Sequence, residues 1–294
     1  MFACTLFGID RQVYYRKIKR RLIKQDKAQL VVQLVLEIRI QMPRIGSKKL
    51  YYMLNQDLKT LKIGRDKFID ILRANHLLVI PKRSYHITTN SHHRFRKYKN
   101  QLLDLQITQL EQVWVSDITY IGKREKPCYL SLITDAYSKK IVGYNVADNL
   151  NTQSSLVALK FAIKQRKNKE MPLIHHSDRG LQYCDNEYQK LLSKNDIQPS
   201  MTQNSDPYEN AVAERINGIL KQEFSIDKYN KDLPIMKQII KETVAIYNQK
   251  RPHLSNHMLT PNQMHDQSKL IMNTYKTKNS IKNFLMLFNL SIFV

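Results

Sequence analysis

Residues 113–147, VWVSDITYIGKREKPCYLSLITDAYSKKIVGYNVA, decide how this chain is to be read. VWVSDITYIG, CYLSLITDAYS and KIVGYNVA are three β-rich runs in close succession, and the short polar breaks between them suit an antiparallel meander. Working outward toward the C-terminus, SSLVALKFAIKQ reads as a helix, PLIHHSD as a short strand and EYQKLLSKN as a helix. IQPSMT then reads as another short strand, and a long helix is expected to begin near Asp206.

Three strands, a helix, a strand, a helix, a strand and further helices is the order of a ribonuclease-H-like α/β core, in which a mixed sheet is flanked by helices. Outward toward the N-terminus the texture is helical and basic. Asp10 stands where it would cap a helix running through VYYRKIKRRL. PRIGSKKLYYMLNQDL and GRDKFIDILRANHLL are two amphipathic patterns, carrying Leu50, Met53 and Leu54 in one and Phe68, Ile71 and Leu72 in the other. The stretch LKTLKIG between them permits a helix-turn-helix unit, in which Arg65 and Lys67 would begin the second helix and reach a DNA groove. The alternative is a solvated hairpin with ordinary surface lysines. The expected organisation is a basic all-α helix-turn-helix region over 1–80, a basic linker over 81–108, the catalytic core over 109–268 and an unassigned tail over 269–294. Within the linker, Tyr85, Phe95 and Tyr98 interleaved with cations could also track a DNA backbone.

The 294 residues carry 48 Lys and Arg against 25 Asp and Glu, a net charge of +23, which points to a polyanionic partner. Residues 1–100 hold 23 of those cations and 6 of the acids, a net of +17, so phosphate contacts are expected in the front third. Cys4, Cys128 and Cys184 lie far apart and form no CxxC, which supports neither a disulfide framework nor structural zinc and suits a reducing cytoplasm. MFACTLFGID lacks a signal peptide's basic start and apolar core. The apolar tail Asn283–Val294 falls short of the roughly 20 residues that span a bilayer, so no membrane role is expected.

Three acids stand in distinctive phrases: Asp117 in VWVSDITYI, Asp178 in IHHSDRGLQY and Glu214 in DPYENAVAERINGILKQEF. The first two are 61 positions apart and the last two 36. Carboxylates that converge from distant points suit two oxygen-ligated divalent metals about 4 Å apart, which can clamp the attacking and leaving oxygens of a phosphoryl transfer. Each acid also has an ordinary reading: an edge or turn residue for Asp117, a helix cap for Asp178, and a solvated helix face for Glu214. On that last helix Val212, Ile216, Ile219 and Leu220 form the core stripe, while Asn210, Glu214, Asn217 and Lys221 lie together on the opposite side.

WVSDITYI, HHSDRGLQY, DPYENAVAERINGILKQEF and YNQKRPHLSNHMLTPNQ, in that order and spacing, resemble the integrase-type transposases encoded by the second reading frame (OrfB) of insertion sequences of the IS-three family. The resemblance covers about residues 110–265, and its helix-turn-helix part reaches back to about residue 8. It implies that Asp117, Asp178 and Glu214 are the catalytic D, D and E, holding two Mg²⁺ ions for which Mn²⁺ can substitute. It further implies that Lys221 touches DNA near the cut, with Arg179 a further DNA contact beside the second Asp. His175, His176 and Gln182 match the same phrase as supporting residues, and Arg251, Pro252 and His253 are expected to pack the last helix with a possible DNA contact. Trp114, Tyr120 and Tyr183 read as core or cleft-wall aromatics. The implied partners are the element's terminal repeats and target DNA, other copies of the chain assembled on DNA, and the upstream reading frame's product or a fusion with it. The implied location is the bacterial cytoplasm, on the nucleoid. A non-catalytic DNA-binding accessory or inhibitory product of the same element is the competing expectation. It shares the charge but has no need of the three acids.

Overall fold

The computed structural model describes Gly8 and residues 10–80, 98–103, 105–122, 127–203, 210–229 and 231–267. The apolar tail Asn283–Val294, Cys4, Tyr85, Phe95 and the expected helix start near Asp206 fall outside these residues.

Helix α1 (Arg11–Gln41) starts where Asp10 accepts hydrogen bonds from the amides of Gln12 and Val13, at 2.7 and 3.3 Å. A cap of this kind contributes about 1 kcal/mol. Only the second half of α1 is packed, through Val31 and Val35; every residue from Arg11 to Asp26 is exposed. The first of the two expected amphipathic patterns is broken at Leu54 into α2 (Ser47–Met53) and α3 (Asn55–Thr60), and the second forms α4 (Arg65–Ala74). Leu50, Leu54, Leu58, Phe68 and Leu72 are buried, each worth roughly 1.5–3 kcal/mol against exposure.

The meander forms as read: β1 (Val113–Ile121), β2 (Cys128–Asp135) and β3 (Ile141–Ala147) pair antiparallel in succession. Helix α5 (Thr152–Gln165) crosses over to β4 (Leu173–Ser177), and α6 (Leu181–Cys184) and α7 (Asn186–Lys194) lead to β5 (Ile197–Met201). The sheet order is β3-β2-β1-β4-β5, with β4 parallel to β1 and β5 parallel to β4. Helices α8 (Ala211–Glu223), α9 (Leu233–Lys250) and α10 (Pro261–Asp266) complete the described chain. This is the mixed sheet flanked by helices expected of a ribonuclease-H-like core, preceded by a helical region.

Side chains alternate across β1, so neighbours on the strand serve different layers. Trp114 joins Leu156, Leu159, Tyr188 and Leu192 beneath α5 and α7, whereas Val113 and Val115 pack with Ala213 of α8. Gly143 lets β3 approach α5: a Cβ there would run into the carbonyl oxygen of Ala158 and stand 2.9 Å from the Ala162 methyl. The helical region is not a separate bead, because one apolar cluster joins Val31, Leu50, Phe68 and Leu72 to Leu130 and Leu132 of β2 and to Ile216, Leu220 and Ile240. Of the stretch read as a linker, Leu102, Leu105 and Ile107 pack beside Val113 and Val115. Gln101 donates from its amide to the Ser200 hydroxyl (2.9 Å) and from its side chain to the Pro199 carbonyl (3.0 Å). Among the described residues no helix is long and apolar enough to cross a membrane.

Candidate active site

The ladder between β1 and β4 pairs Val113 with Ile174, Trp114 with His175 and Val115 with His176, an offset of 174 − 113 = 61 residues. Asp117 and Asp178 differ by 178 − 117 = 61 as well. The same register extended by two residues would set these acids opposite each other; Asp178 lies just beyond the carboxyl end of β4, where ligand sites in α/β sheets open, and is near enough to act on the Asp117 carboxyl. Asp178 Oδ1 accepts the Gly180 amide at 3.0 Å, which fixes the turn that follows the strand.

Glu214 lies in the first turn of α8 and is exposed. The helix is set against β1 by two asparagines on the same side. Asn210 donates from Nδ2 to the Ser116 carbonyl at 3.0 Å, and Asn217 donates from Nδ2 to Asp117 Oδ2 at 2.7 Å. The Ile118 amide donates to the other oxygen of Asp117, Oδ1, at 2.9 Å. The polar face, whose ordinary alternative reading was a solvated one, is buried at Asn210 and Asn217, because α8 is held on one side by the apolar cluster and on the other by β1. Both asparagines were missed as functional positions. Their 4-3-4 spacing with Glu214 and Lys221 is the signal that one polar stripe follows a single neighbour.

The electrostatics record how close the acids are. Burial raises the Asp117 carboxyl from its ordinary 3.8 to about 7, with Asp178 adding to the rise; the hydrogen bonds from Asn217 and Ile118 oppose it, and Glu214 adds a smaller push. Glu214, although the residue as a whole is exposed, has its carboxyl raised by partial desolvation and then by Asp178. Mutual repulsion of this kind marks a site that a cation would relieve. Among the described residues no group of three His, Cys, Asp or Glu side chains is placed to hold a metal ion. Carboxylate oxygens are the donor type that suits Mg²⁺, which completes its coordination with water and phosphate.

Lys221, two turns beyond Glu214, is partly buried. Burial lowers its ammonium pKa, and nearby Asp117, then Asp227, oppose that shift. Arg179 is half-buried directly after Asp178, while Gln182 donates to the Leu150 carbonyl at 2.8 Å. The paired histidines are structural. His175 Nε2 contacts the Ser116 and Tyr188 hydroxyls at 2.7 and 2.9 Å, and His176 Nδ1 meets the Ser200 hydroxyl at 2.9 Å. Burial, followed by the charge of His176, lowers His175 to about 3, so it stays neutral. Tyr183 is buried with its ring against Tyr188 and His175, and its hydroxyl has no hydrogen-bond partner among the described residues. Trp114 is core, whereas Tyr120 is exposed against the Tyr129 ring. Arg65 and Lys67 stand exposed at the start of α4, as part of the helical region rather than of the acid cluster.

Arg251 packs against the last helix-forming segment as expected, with its guanidinium 5.8 Å from the centre of the Tyr247 ring. It is 1 % exposed and forks onto Glu223, donating from Nε to Oε2 and from Nη2 to Oε1, both at 2.8 Å. Lys49 donates to the same Glu223 Oε1 at 2.6 Å, and the Arg44 amide donates to the Glu223 carbonyl at 2.9 Å. The end of the Glu214 helix is therefore clamped to the segment after α9 and to the helical region, and no charged face of Arg251 is left for DNA.

The sheet order and the crossover helix define a ribonuclease-H-like core, with Asp117 in the middle of β1 and Asp178 just past the end of β4. Two family models, each described as "Integrase core domain", match residues 108–207 and 195–261. The chain is 32% identical over 259 residues to the "Insertion element IS600 uncharacterized 31 kDa protein" of Shigella sonnei, covering 85% of this chain and 92% of that protein. It is 34% identical over 148 residues to the "Transposase for insertion sequence element IS904" of Lactococcus lactis, covering 50% and 58%. With the "Putative transposase InsK for insertion sequence element IS150" of Escherichia coli it shares 28% identity over 185 residues, covering 60% and 65%. The chain belongs to the IS-three family of insertion-sequence transposases with an integrase-type core. Among solved structures it is similar to the catalytic core of HTLV-2 integrase (TM-score 0.42, 20% identity, 53% of this chain and 96% of that chain). It is also similar to a chain of the simian T-cell lymphotropic virus intasome (TM-score 0.48, 17% identity, 79% of each).

Proposed function

We infer that the protein is a DNA transposase that cuts and joins strands at the ends of an insertion sequence, with Asp117, Asp178 and Glu214 as its catalytic carboxylates. The observation that supports the assignment is the shared offset of 61 residues, by which Asp117 and Asp178 lie two positions beyond the paired residues of the β1–β4 ladder, with Glu214 within electrostatic reach of both. These three would hold divalent cations, two Mg²⁺ with Mn²⁺ able to substitute. When bound, such ions polarise the phosphoryl oxygens and stabilise the attacking and leaving groups.

What the chain's own residues do follows from their contacts. Asn217 and the Ile118 amide fix both oxygens of Asp117, leaving the carboxylate one orientation toward the cleft. A carboxyl raised to about 7 holds its proton in the bare site and gives it up as positive charge arrives. Lys221 would meet a phosphate beside the reacting one, and Arg179 would contact DNA beside Asp178. Arg65 and Lys67 would contact DNA from the helical region. The reading includes assembly of several copies on DNA, action with the upstream reading-frame product, and residence on the nucleoid in the cytoplasm.

The experiment is incubation of the protein, with and without Mg²⁺, with plasmid DNA carrying the sequence that flanks its gene, followed by mapping of nicked and joined 3′ ends. Since the carboxylates carry several kcal/mol of transition-state stabilisation, Glu214→Gln is expected to lower cutting by at least about 100-fold while DNA binding persists. Cutting at near wild-type rate in Glu214→Gln would refute the assignment.

A further inference from the structure

We propose that the first half of α1, Arg11–Asp26, is a DNA-gripping arm that seats a duplex along one face, in addition to any contacts made by Arg65 and Lys67. The proposal rests on the reading that this protein acts on DNA, and adds to it a binding surface and its polarity.

The arm holds seven cations, Arg11, Arg16, Lys17, Lys19, Arg20, Arg21 and Lys24, against the single acid Asp26, and all of its residues are exposed. A helix of sixteen residues is about 24 Å long at 1.5 Å per residue. Duplex DNA presents one phosphate per about 1.7 Å of axis, so the arm spans about 14 phosphates. Five of the seven cations share one side, whereas Arg11 and Lys19 lie outside it. At 100° per residue, Arg16, Lys17, Arg20, Arg21 and Lys24 fall within a sector about 140° wide, while Tyr15, Ile18 and Leu22 fall within about 60° on the opposite side. Those three apolar residues are 56 %, 37 % and 54 % exposed.

The cationic sector has the same phase as Val31, Val35 and Ile38, the residues that face the rest of the helical region further along α1. The cations thus overhang the side on which α2 to α4 stand. The base of the overhang is pinned where Lys27 Nζ donates to the Leu61 carbonyl at 3.0 Å. Exposed Lys59, Lys62, Arg65 and Lys67 follow in and beyond that turn, which carries the positive surface from the arm onto the start of α4. A second copy laid parallel along the cationic face would set five cations against five, an arrangement that like-charge repulsion opposes. A polyphosphate backbone is the partner that satisfies it.

The test uses full-length protein and fluorescence anisotropy with a labelled duplex of about 30 base pairs, titrated from about 50 to 300 mM salt. One variant replaces Arg16, Lys17, Arg20, Arg21 and Lys24 with Gln, which keeps helix propensity; a second replaces Tyr15, Ile18 and Leu22 with Gln on the opposite face. Circular dichroism checks that both retain their helix. Each phosphate contact contributes about 0.9 to the slope of log K against log salt, so the cation variant should be shallower by about 2 to 4.5 and the apolar variant unchanged. Equal slopes in wild type and cation variant would overturn the arm while leaving transposition intact. Wild-type protein that bound no DNA would sink the broader reading instead. If the apolar variant alone lost DNA binding and also lost self-association in sedimentation, the arm would be a helix-docking surface and the proposal wrong.

Discussion

Replacing Arg251 by alanine is expected to destabilise the protein by about 3 kcal/mol, although Arg251 is far from the three acids in sequence. Its guanidinium makes two charged hydrogen bonds of 2.8 Å to Glu223 and lies 5.8 Å from the centre of the Tyr247 ring. Removing one member of a buried ion pair costs roughly 3–5 kcal/mol, since the partner is left charged and desolvated. Lys49 stays on Glu223 Oε1 and compensates in part, which places the loss at the lower end of that range. For a chain of this size about 3 kcal/mol corresponds to a fall in Tm of roughly 6–12 °C, read by thermal unfolding. Arg251→Lys should recover only part of it, because an ammonium cannot reproduce the planar fork. The pH response gives an independent check. Burial alone would raise the Glu223 carboxyl, but the hydrogen bond and charge of Arg251, followed by those of Lys49, hold it below its ordinary value. A depressed carboxyl favours the folded chain above its unfolded pKa, and that contribution is lost as pH falls through the folded value. The gap between wild type and Arg251→Ala should therefore narrow below about pH 4.5. A loss under 1 kcal/mol at pH 7, or an equally large further loss when Arg251→Ala is added to Glu223→Gln, would refute the clamp.

Three further outcomes follow from the core. Asp117 is raised to about 7, so its contribution favours the folded chain below the unfolded pKa and is lost as pH rises through 7. Asp117→Asn should then be more stable than wild type at pH 8, by on the order of 1–4 kcal/mol, and equal to it near pH 4. Mg²⁺ should raise the Tm of wild type at pH 8 and leave that of the variant nearly unmoved. Gly143→Ala, which drives a methyl into the Ala158 carbonyl and the Ala162 methyl, should cost at least about 1–3 kcal/mol by overpacking β3 against α5. Urea unfolding with an unchanged midpoint would contradict that packing.

Much of this molecule is legible in its order of residues. The meander, the crossover helix and the two short parallel strands follow from alternation and periodicity, because a strand or helix must present apolar side chains at its own repeat. The helical region was legible from its cations and apolar spacing, although its first pattern proved to be two helices broken at Leu54. The phrases around Asp117, Asp178 and Glu214 single out the acids without any coordinates.

Tertiary structure alone decided what surrounds them. Strand pairing is a long-range choice, so only the β1–β4 ladder reveals that 61 residues of separation amount to adjacency. Burial on two sides of α8 joined Asn210 to the Ser116 carbonyl and Asn217 to the Asp117 carboxylate, and the fold paired Arg251 with Glu223. Periodicity along one helix reports which residues share a side. It does not report how many neighbours that helix has, and the number of neighbours determines whether a polar side chain meets water, DNA or a buried partner.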